Sequence, residues 1–186
     1  EENFPGELTV YVTYTLTEED ELEITYSATT TKDTIINLTQ HSYFNLDGHE
    51  NSIENQDLQI ATNKLLETDE NNVPTGYFLN IANLPFDFTS FKKCPEKIDN
   101  SFVNKDHSKA VATLKSAKKK LQMQVFTNQP SVHIYVGGNC SNLIKGKSNS
   151  EYHSLSGICF ETQNFPDAPN NSHFPNSFLR KDETYY

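Results

Sequence analysis

A chain of 186 residues is long enough to bury a core of its own, and with 7 Gly, 8 Pro and 35% hydrophobic residues it has the composition of a folded domain. Fifteen Lys and Arg against 25 Asp and Glu give a formal charge of −10, which argues against nucleic acid or an anionic membrane as partner, since phosphate neutralisation needs a basic face. The chain also holds 12 Phe and 9 Tyr, both strand-favouring types, which partly compensate for the low apolar fraction.

Taken in chain order, the pattern is one of short strands. Residues 8–16 (LTVYVTYTL) alternate apolar with Thr and Tyr, and 21–29 (ELEITYSAT) repeat the pattern after a turn at Glu18, Glu19 and Asp20. Further strands are expected at 34–38 and 58–62. The stretch 63–108 is polar and reads as a long loop region, as does 140–156. Strands follow at 109–116, 119–127, 131–136 and 157–162, with Lys118, Lys119 and Lys120 as a solvated hairpin turn. No helical periodicity competes with this reading. One all-β domain over 1–186, an antiparallel sandwich or barrel, is expected. The first residues run almost at once into a strand and the last stop where another is starting, so the expectation is a domain incomplete at both ends. No run is apolar over the length of a bilayer, and the compartment stays open, with the cytoplasm slightly favoured.

Cys94, Cys140 and Cys159 show no CxxC spacing and an odd count, which speaks against a disulfide framework or a structural zinc site. Each is read as a small buried or half-buried thiol. His49, His107, His133, His153 and His173 form no HxH or HExxH pattern and are read as non-ligands. Three residues stand out for proton chemistry or binding. His41 follows the strand 34–38 and is of a type that titrates near neutral pH. Glu161 lies in an apolar strand, where an ionised carboxylate is costly unless paired. If that strand alternates, Ile158 and Phe160 face one side, Cys159 and Glu161 the other. Asp99, in Ile98-Asp99-Asn100-Ser101-Phe102, reads alone as a turn residue, as do Asp87 and Asp167.

Several segments together resemble one family. Asn37-Leu38-Thr39-Gln40-His41-Ser42-Tyr43-Phe44-Asn45-Leu46 is similar to the NLTNHSYFNL segment of the aldose 1-epimerases, or galactose mutarotases. In the same order, Val73-Pro74-Thr75-Gly76, Pro85-Phe86-Asp87-Phe88, Asp99 to Phe102, Thr127-Asn128-Gln129-Pro130 to Tyr135 and Gly137, and Phe160-Glu161-Thr162-Gln163 with Pro166-Asp167-Ala168-Pro169-Asn170 resemble that family's remaining elements. Gln40 stands where the family often has Asn, and Asn100 where His is frequent.

The resemblance implies a large antiparallel β-sandwich of the galactose mutarotase-like type, here lacking N-terminal strands and a C-terminal edge strand. It implies interconversion of the α and β anomers of an aldohexose such as galactose or glucose. His41 matches the general acid that protonates the ring oxygen, and Glu161 the general base that takes the anomeric hydroxyl proton. Asp99 and Gln129 match residues that hydrogen-bond sugar hydroxyls. Tyr43, Phe44, Phe86, Phe88 and Phe165 are either stacking surfaces for a sugar or packing residues. No cofactor or metal is implied; the partner is a small aldose. The family also uses an arginine and a second histidine from an N-terminal half, so a partner chain or that missing half is expected over the open sheet edge. A non-catalytic carbohydrate-binding sandwich would keep the fold without needing an acid–base pair. A hexose-6-phosphate epimerase would need a basic phosphate pocket, against which the acidic balance weighs.

Overall fold

The computed structural model describes residues 3–137 and 144–186, and Cys140 with its neighbours lies outside that range. The described residues fold as antiparallel β-structure with two short 3-10 turns, Lys147–Asn149 and Ala168–Asn170. They form two compact units, one of residues up to Leu38 together with Asp167–Tyr186, the other Thr39–Pro166.

In the first unit, β1 (Leu8–Leu16) and β2 (Leu22–Thr30) make a hairpin in register from Leu8 opposite Thr30 to Leu16 opposite Leu22. Thr17 closes its turn by donating its N–H to the Glu21 carbonyl at 2.9 Å. Alternating β-branched and aromatic residues suit this pairing. β3 (Thr34–Ile35) pairs with the last strand, β14 (Phe178–Leu179). Ala28, Ile36 and Leu179 form the small core, with Leu38 and Tyr185 packed on it. Tyr185 exchanges two backbone hydrogen bonds with Ala28, so the strand expected to start near the C-terminus is present as a single bridge.

The second unit is a sandwich of two sheets. The larger contains β4 (Tyr43–Phe44), β6 (Lys64–Thr68), β7 (Pro74–Asn80), β9 (Ile98–Val103), β12 (Ser131–Val136) and β13 (Ile158–Gln163), in the spatial order β4-β13-β12-β9-β6-β7. The smaller contains β5 (Asp57–Ile60), β8 (Lys92–Lys93), β10 (Ala112–Ser116) and β11 (Leu121–Val125), in the order β11-β10-β5-β8. Side chains alternate across a strand, so each sheet sends every second residue inward. Leu58, Ile60 and Leu114 from one sheet meet Ile98, Phe102, Val132, Ile134, Ile158 and Phe160 from the other in one continuous core.

The strand expectations hold best where alternation is plain, and Lys118–Lys120 does occupy the β10–β11 turn. Residues 34–38 keep strand geometry only at Thr34–Ile35, and 119–127 shrinks to Leu121–Val125. The region 63–108 is corrected most: it holds β6, β7, β8 and β9. β6 carries a bulge between Leu66 and Thr68, which breaks the two-residue period. β7 begins with Pro and Gly, and β9 carries Asp-Asn-Ser, residues that signal turns when read locally. Pairing with β12 overrides that signal, so Asp99 is a strand residue.

Cys94 is enclosed in the core, and burial, aided by Asp57, pushes its thiol up to about 12 while Lys93 opposes. The thiolate is the reactive form. Cys94 should therefore resist iodoacetamide at pH about 8 in the folded protein and react on unfolding; peptide mapping after labelling with and without denaturant checks this.

Candidate active site

The site grows from the register of three strands. β12 lies between β9 and β13, placing His133 opposite Ser101 on one side and Glu161 on the other. The next row on the same face runs Asp99, Tyr135, Cys159 and, through β4, Tyr43. Ile158 and Phe160 point into the core as alternation requires. The opposite face of β13 is covered too: Cys159 is fully buried and Glu161 nearly so.

The cover comes from the segment before β4. Continuing the β4 register back by two residues brings His41 beside Glu161, and His41 Nε2 lies 3.5 Å from Glu161 Oε1. The carboxylate side chain is 11% exposed and the imidazole 53%, so the pair has one enclosed and one open member. Gln40 pins this segment down. Its Nε2 donates to the Phe160 carbonyl at 2.7 Å, and its Oε1 accepts from the Ser42 N–H at 2.7 Å. Gly157 lets β4 approach β13 closely, because a Cβ there would fall 2.9 Å from the Tyr43 Cβ. Behind β4, Asn45 acts as scaffold: its Nδ2 donates to the Asn51 and Ser156 carbonyls, and its Oδ1 accepts from the fully buried Gln56.

Aromatic rings line the open side. His41 stacks on Tyr43 with centroids 5.4 Å apart, and Tyr135 meets both edge-on at 5.9 and 6.4 Å. Asp99 receives a hydrogen bond from His133 Nε2 at 2.8 Å, while His133 Nδ1 pairs with Ser101 Oγ at 2.9 Å. Burial pushes the Glu161 carboxyl above the usual glutamate range. The His133 and His41 imidazoles draw it back, and the Asp99 charge pushes it up again. His41, Cys159 and Glu161 also bring an imidazole, a thiol and a carboxylate within 4.8 Å of one another, a spacing within reach of a shared cation. The His41–Glu161 contact already pairs two of these three groups.

His41, Glu161, Asp99 and Tyr43 thus share one face of the larger sheet. Gln129 stands apart: it lies in the turn before β12, its Nε2 donating to Asn128 Oδ1 at 3.1 Å and its carbonyl accepting from Asn104. Phe88 and Phe165 are buried packing residues, and Phe44 packs on Phe160, whereas Phe86 is exposed. Asp87 accepts from Asn83 and Thr89 within its own turn, as read from the sequence. Residues 131–136 alternate clearly, so the polar face carrying Ser131, His133 and Tyr135 is visible in the sequence. The adjacency of His133 to Glu161 is not, because it depends on pairing register.

Proteins already known carry the same architecture. The chain belongs to the aldose 1-epimerase family, whose sequence model matches residues 1–186. It is 37% identical over 196 residues to galactose mutarotase from Mus musculus, covering 100% of this chain and 57% of that protein. It is 33% identical over 202 residues to aldose 1-epimerase from Escherichia coli K12, covering 100% of this chain and 58% of that protein. Among solved structures, an aldose epimerase homologue from C. elegans superposes with a TM-score of 0.85 at 28% identity, covering 98% of this chain and 58% of that one. Galactose 1-epimerase from Lactobacillus acidophilus superposes at 0.81 with 27% identity, covering 98% of this chain and 55% of that one. The chain therefore spans a little over half the length of the relatives it matches. The fold is all-β and galactose mutarotase-like.

The raised Glu161 carboxyl has a consequence for stability. Its folded pKa lies above the unfolded value, so the folded state binds the extra proton. That contribution is complete below the unfolded pKa, about 4.3 for glutamate, and is lost as pH rises through the folded value. Glu161→Gln should remove the loss, so its stability relative to wild type should grow as pH rises from about 4 to neutrality. Urea unfolding at a series of pH values measures this, and parallel pH profiles for the two proteins would contradict it.

Proposed function

We propose that this protein is an aldose 1-epimerase that interconverts the α and β anomers of an aldohexose, with galactose or glucose as substrate. The observation that carries the reading is the approach of His41 Nε2 to within 3.5 Å of Glu161 Oε1 on one face of the sheet. The two oxygens of a cyclic hemiacetal are bonded to the same carbon, so the groups that exchange protons with them must be close neighbours. An open imidazole beside an enclosed carboxylate suits that demand.

In the forward step His41 gives a proton to the ring oxygen as the C1–O5 bond breaks. Glu161 takes the proton from the anomeric hydroxyl, whose oxygen becomes the carbonyl oxygen of the open aldehyde. Rotation about C1–C2 then presents the other carbonyl face. On closure O5 attacks C1, His41 recovers the proton from O5, and Glu161 returns its proton to the new anomeric oxygen. Both groups end as they began, and no bond changes oxidation state. Burial supports the role of Glu161, since a base of raised pKa accepts a proton more readily. From the neighbouring row Asp99 holds a sugar hydroxyl in this reading, and the Tyr43 and Tyr135 rings supply aromatic surface for the apolar side of the sugar. We assign Gln129 a second hydroxyl contact on the strength of the motif around it, with its amide turning away from Asn128 when sugar binds. The arginine and second histidine used in the family would complete the orientation of the substrate.

Polarimetry of α-D-galactose and α-D-glucose tests the reading directly. Glu161→Gln keeps the shape and removes the base, while His41→Asn removes the acid. If general acid–base catalysis is worth roughly 10²–10⁴-fold per group, either variant should lose at least that order in turnover. Sugar affinity should change less, because Asp99 is retained. Near-normal mutarotation by either variant would refute the assigned roles.

A further inference from the structure

One titratable residue beside Glu161 has no task in this acid–base scheme. His133 occupies the centre of β12, directly between Ser101 and Glu161 in the cross-strand row. Its Nδ1 meets Ser101 Oγ at 2.9 Å, its Nε2 meets Asp99 Oδ1 at 2.8 Å, and its side chain is 18% exposed. Both ring nitrogens are engaged, so the ring cannot turn without losing a partner. Ser101 is buried, and its hydroxyl can serve as donor or acceptor. With His133 neutral, Nε2–H donates to Asp99 and Nδ1 accepts from the serine hydroxyl. With His133 protonated, the hydroxyl rotates and accepts from Nδ1–H, while the bond to Asp99 persists. The ring can therefore gain or lose a proton without releasing the Asp99 carboxylate.

We propose that His133 is a positioning residue of the sugar site, holding the Asp99 carboxylate for a substrate hydroxyl and placing a titratable charge beside Glu161. This rests on the reading of Glu161 as the general base. Directly opposed antiparallel residues have Cβ atoms roughly 4.5–5.5 Å apart, so the imidazole and the Glu161 carboxylate stand on adjacent strands of one face. Among the described residues, the titratable groups on the elements around Glu161 are His41 from the segment before β4, Tyr43 from β4, Cys159 from its own strand, His133 and Tyr135 from β12, and Asp99 from β9. His133 stands between the carboxylates of Asp99 and Glu161, which would otherwise oppose each other across a single strand. Of the two imidazoles, it is His133 that draws the Glu161 carboxyl down more strongly.

The test compares wild type with His133→Gln and His133→Phe. Gln keeps a donor for Asp99 without a charge, whereas Phe keeps ring volume and loses both. Mutarotation of α-D-galactose is followed by polarimetry across the pH range, the Glu161 carboxyl is titrated by carbon-13 NMR, and thermal melting verifies folding. His133→Phe should raise KM about tenfold or more through loss of a charge-assisted hydrogen bond, with kcat changing less, and His133→Gln should recover most of that loss. Both should move the acidic limb of kcat/KM, and the Glu161 titration, upward by roughly half a unit or more. The NMR titration needs no catalytic activity. A wild type that fails to mutarotate, with Glu161 still shifted in His133→Gln, would overturn the epimerase reading and support the electrostatic inference. An active wild type whose KM, acidic limb and Glu161 titration are all reproduced by His133→Gln and His133→Phe would overturn the inference and leave the enzyme reading intact. If His133→Phe does not fold, the Glu161 titration in His133→Gln decides alone: an upward shift supports the inference and an unchanged titration overturns it.

Discussion

The arrangement depends on a carboxylate kept in a place where water cannot solvate it fully. Glu161 lies on a strand whose other face, Ile158 and Phe160, is locked into the core between the two sheets. That packing fixes the direction in which Glu161 points, and its burial raises the cost of its charge. Two imidazoles beside it offset part of that cost. His133 comes from one neighbouring strand and His41 from the segment leading into β4 on the other side.

Placing the groups of the candidate site on strands rather than on free loops has a mechanical benefit. Residues two apart on a strand keep the same face, and paired strands repeat the spacing, so side chains from distant segments meet with little freedom. Ser101, His133, Glu161 and His41 fall in one row, and Asp99, Tyr135, Cys159 and Tyr43 in the next. The one member outside regular strand structure, His41, is held through Gln40 and through the close β4–β13 approach that Gly157 allows. The imidazole stays open to solvent, while the carboxylate is enclosed.

How much of this could be read from the sequence follows from which signals are local. Alternation exposes β1, β2, β10, β11, β12 and β13, and the all-β class with them. The His41 and Glu161 motifs are readable because each is a short run of unusual residues. β6, β7 and β9 escape because a bulge, an initial Pro with Gly, and an Asp-Asn-Ser run imitate loop chemistry, and pairing with neighbours decides their state. His133 escapes for a related reason: its neighbours in sequence, Val132 and Ile134, belong to the core, while its partners in space are 32, 34 and 28 positions away at Ser101, Asp99 and Glu161. Motif reading identifies residues that match a pattern; register reveals residues that complete it.

The depth at which Glu161 is buried follows from the reversibility of the proposed reaction. In each turnover the acid and the base exchange roles, so each must release the proton that it has taken. A carboxylate as acidic as a solvated glutamate is a weak proton acceptor, and burial without cationic neighbours disfavours the ionised form that a base requires. Burial raises its proton affinity and the two imidazoles limit the rise. Asp99 adds negative charge in the next row and pushes the Glu161 carboxyl upward again. An imidazole hydrogen-bonded to Asp99 and opposite Glu161 reconciles the two carboxylates. In the proposed site one of them accepts a hydrogen bond from sugar while the other gains and loses a proton.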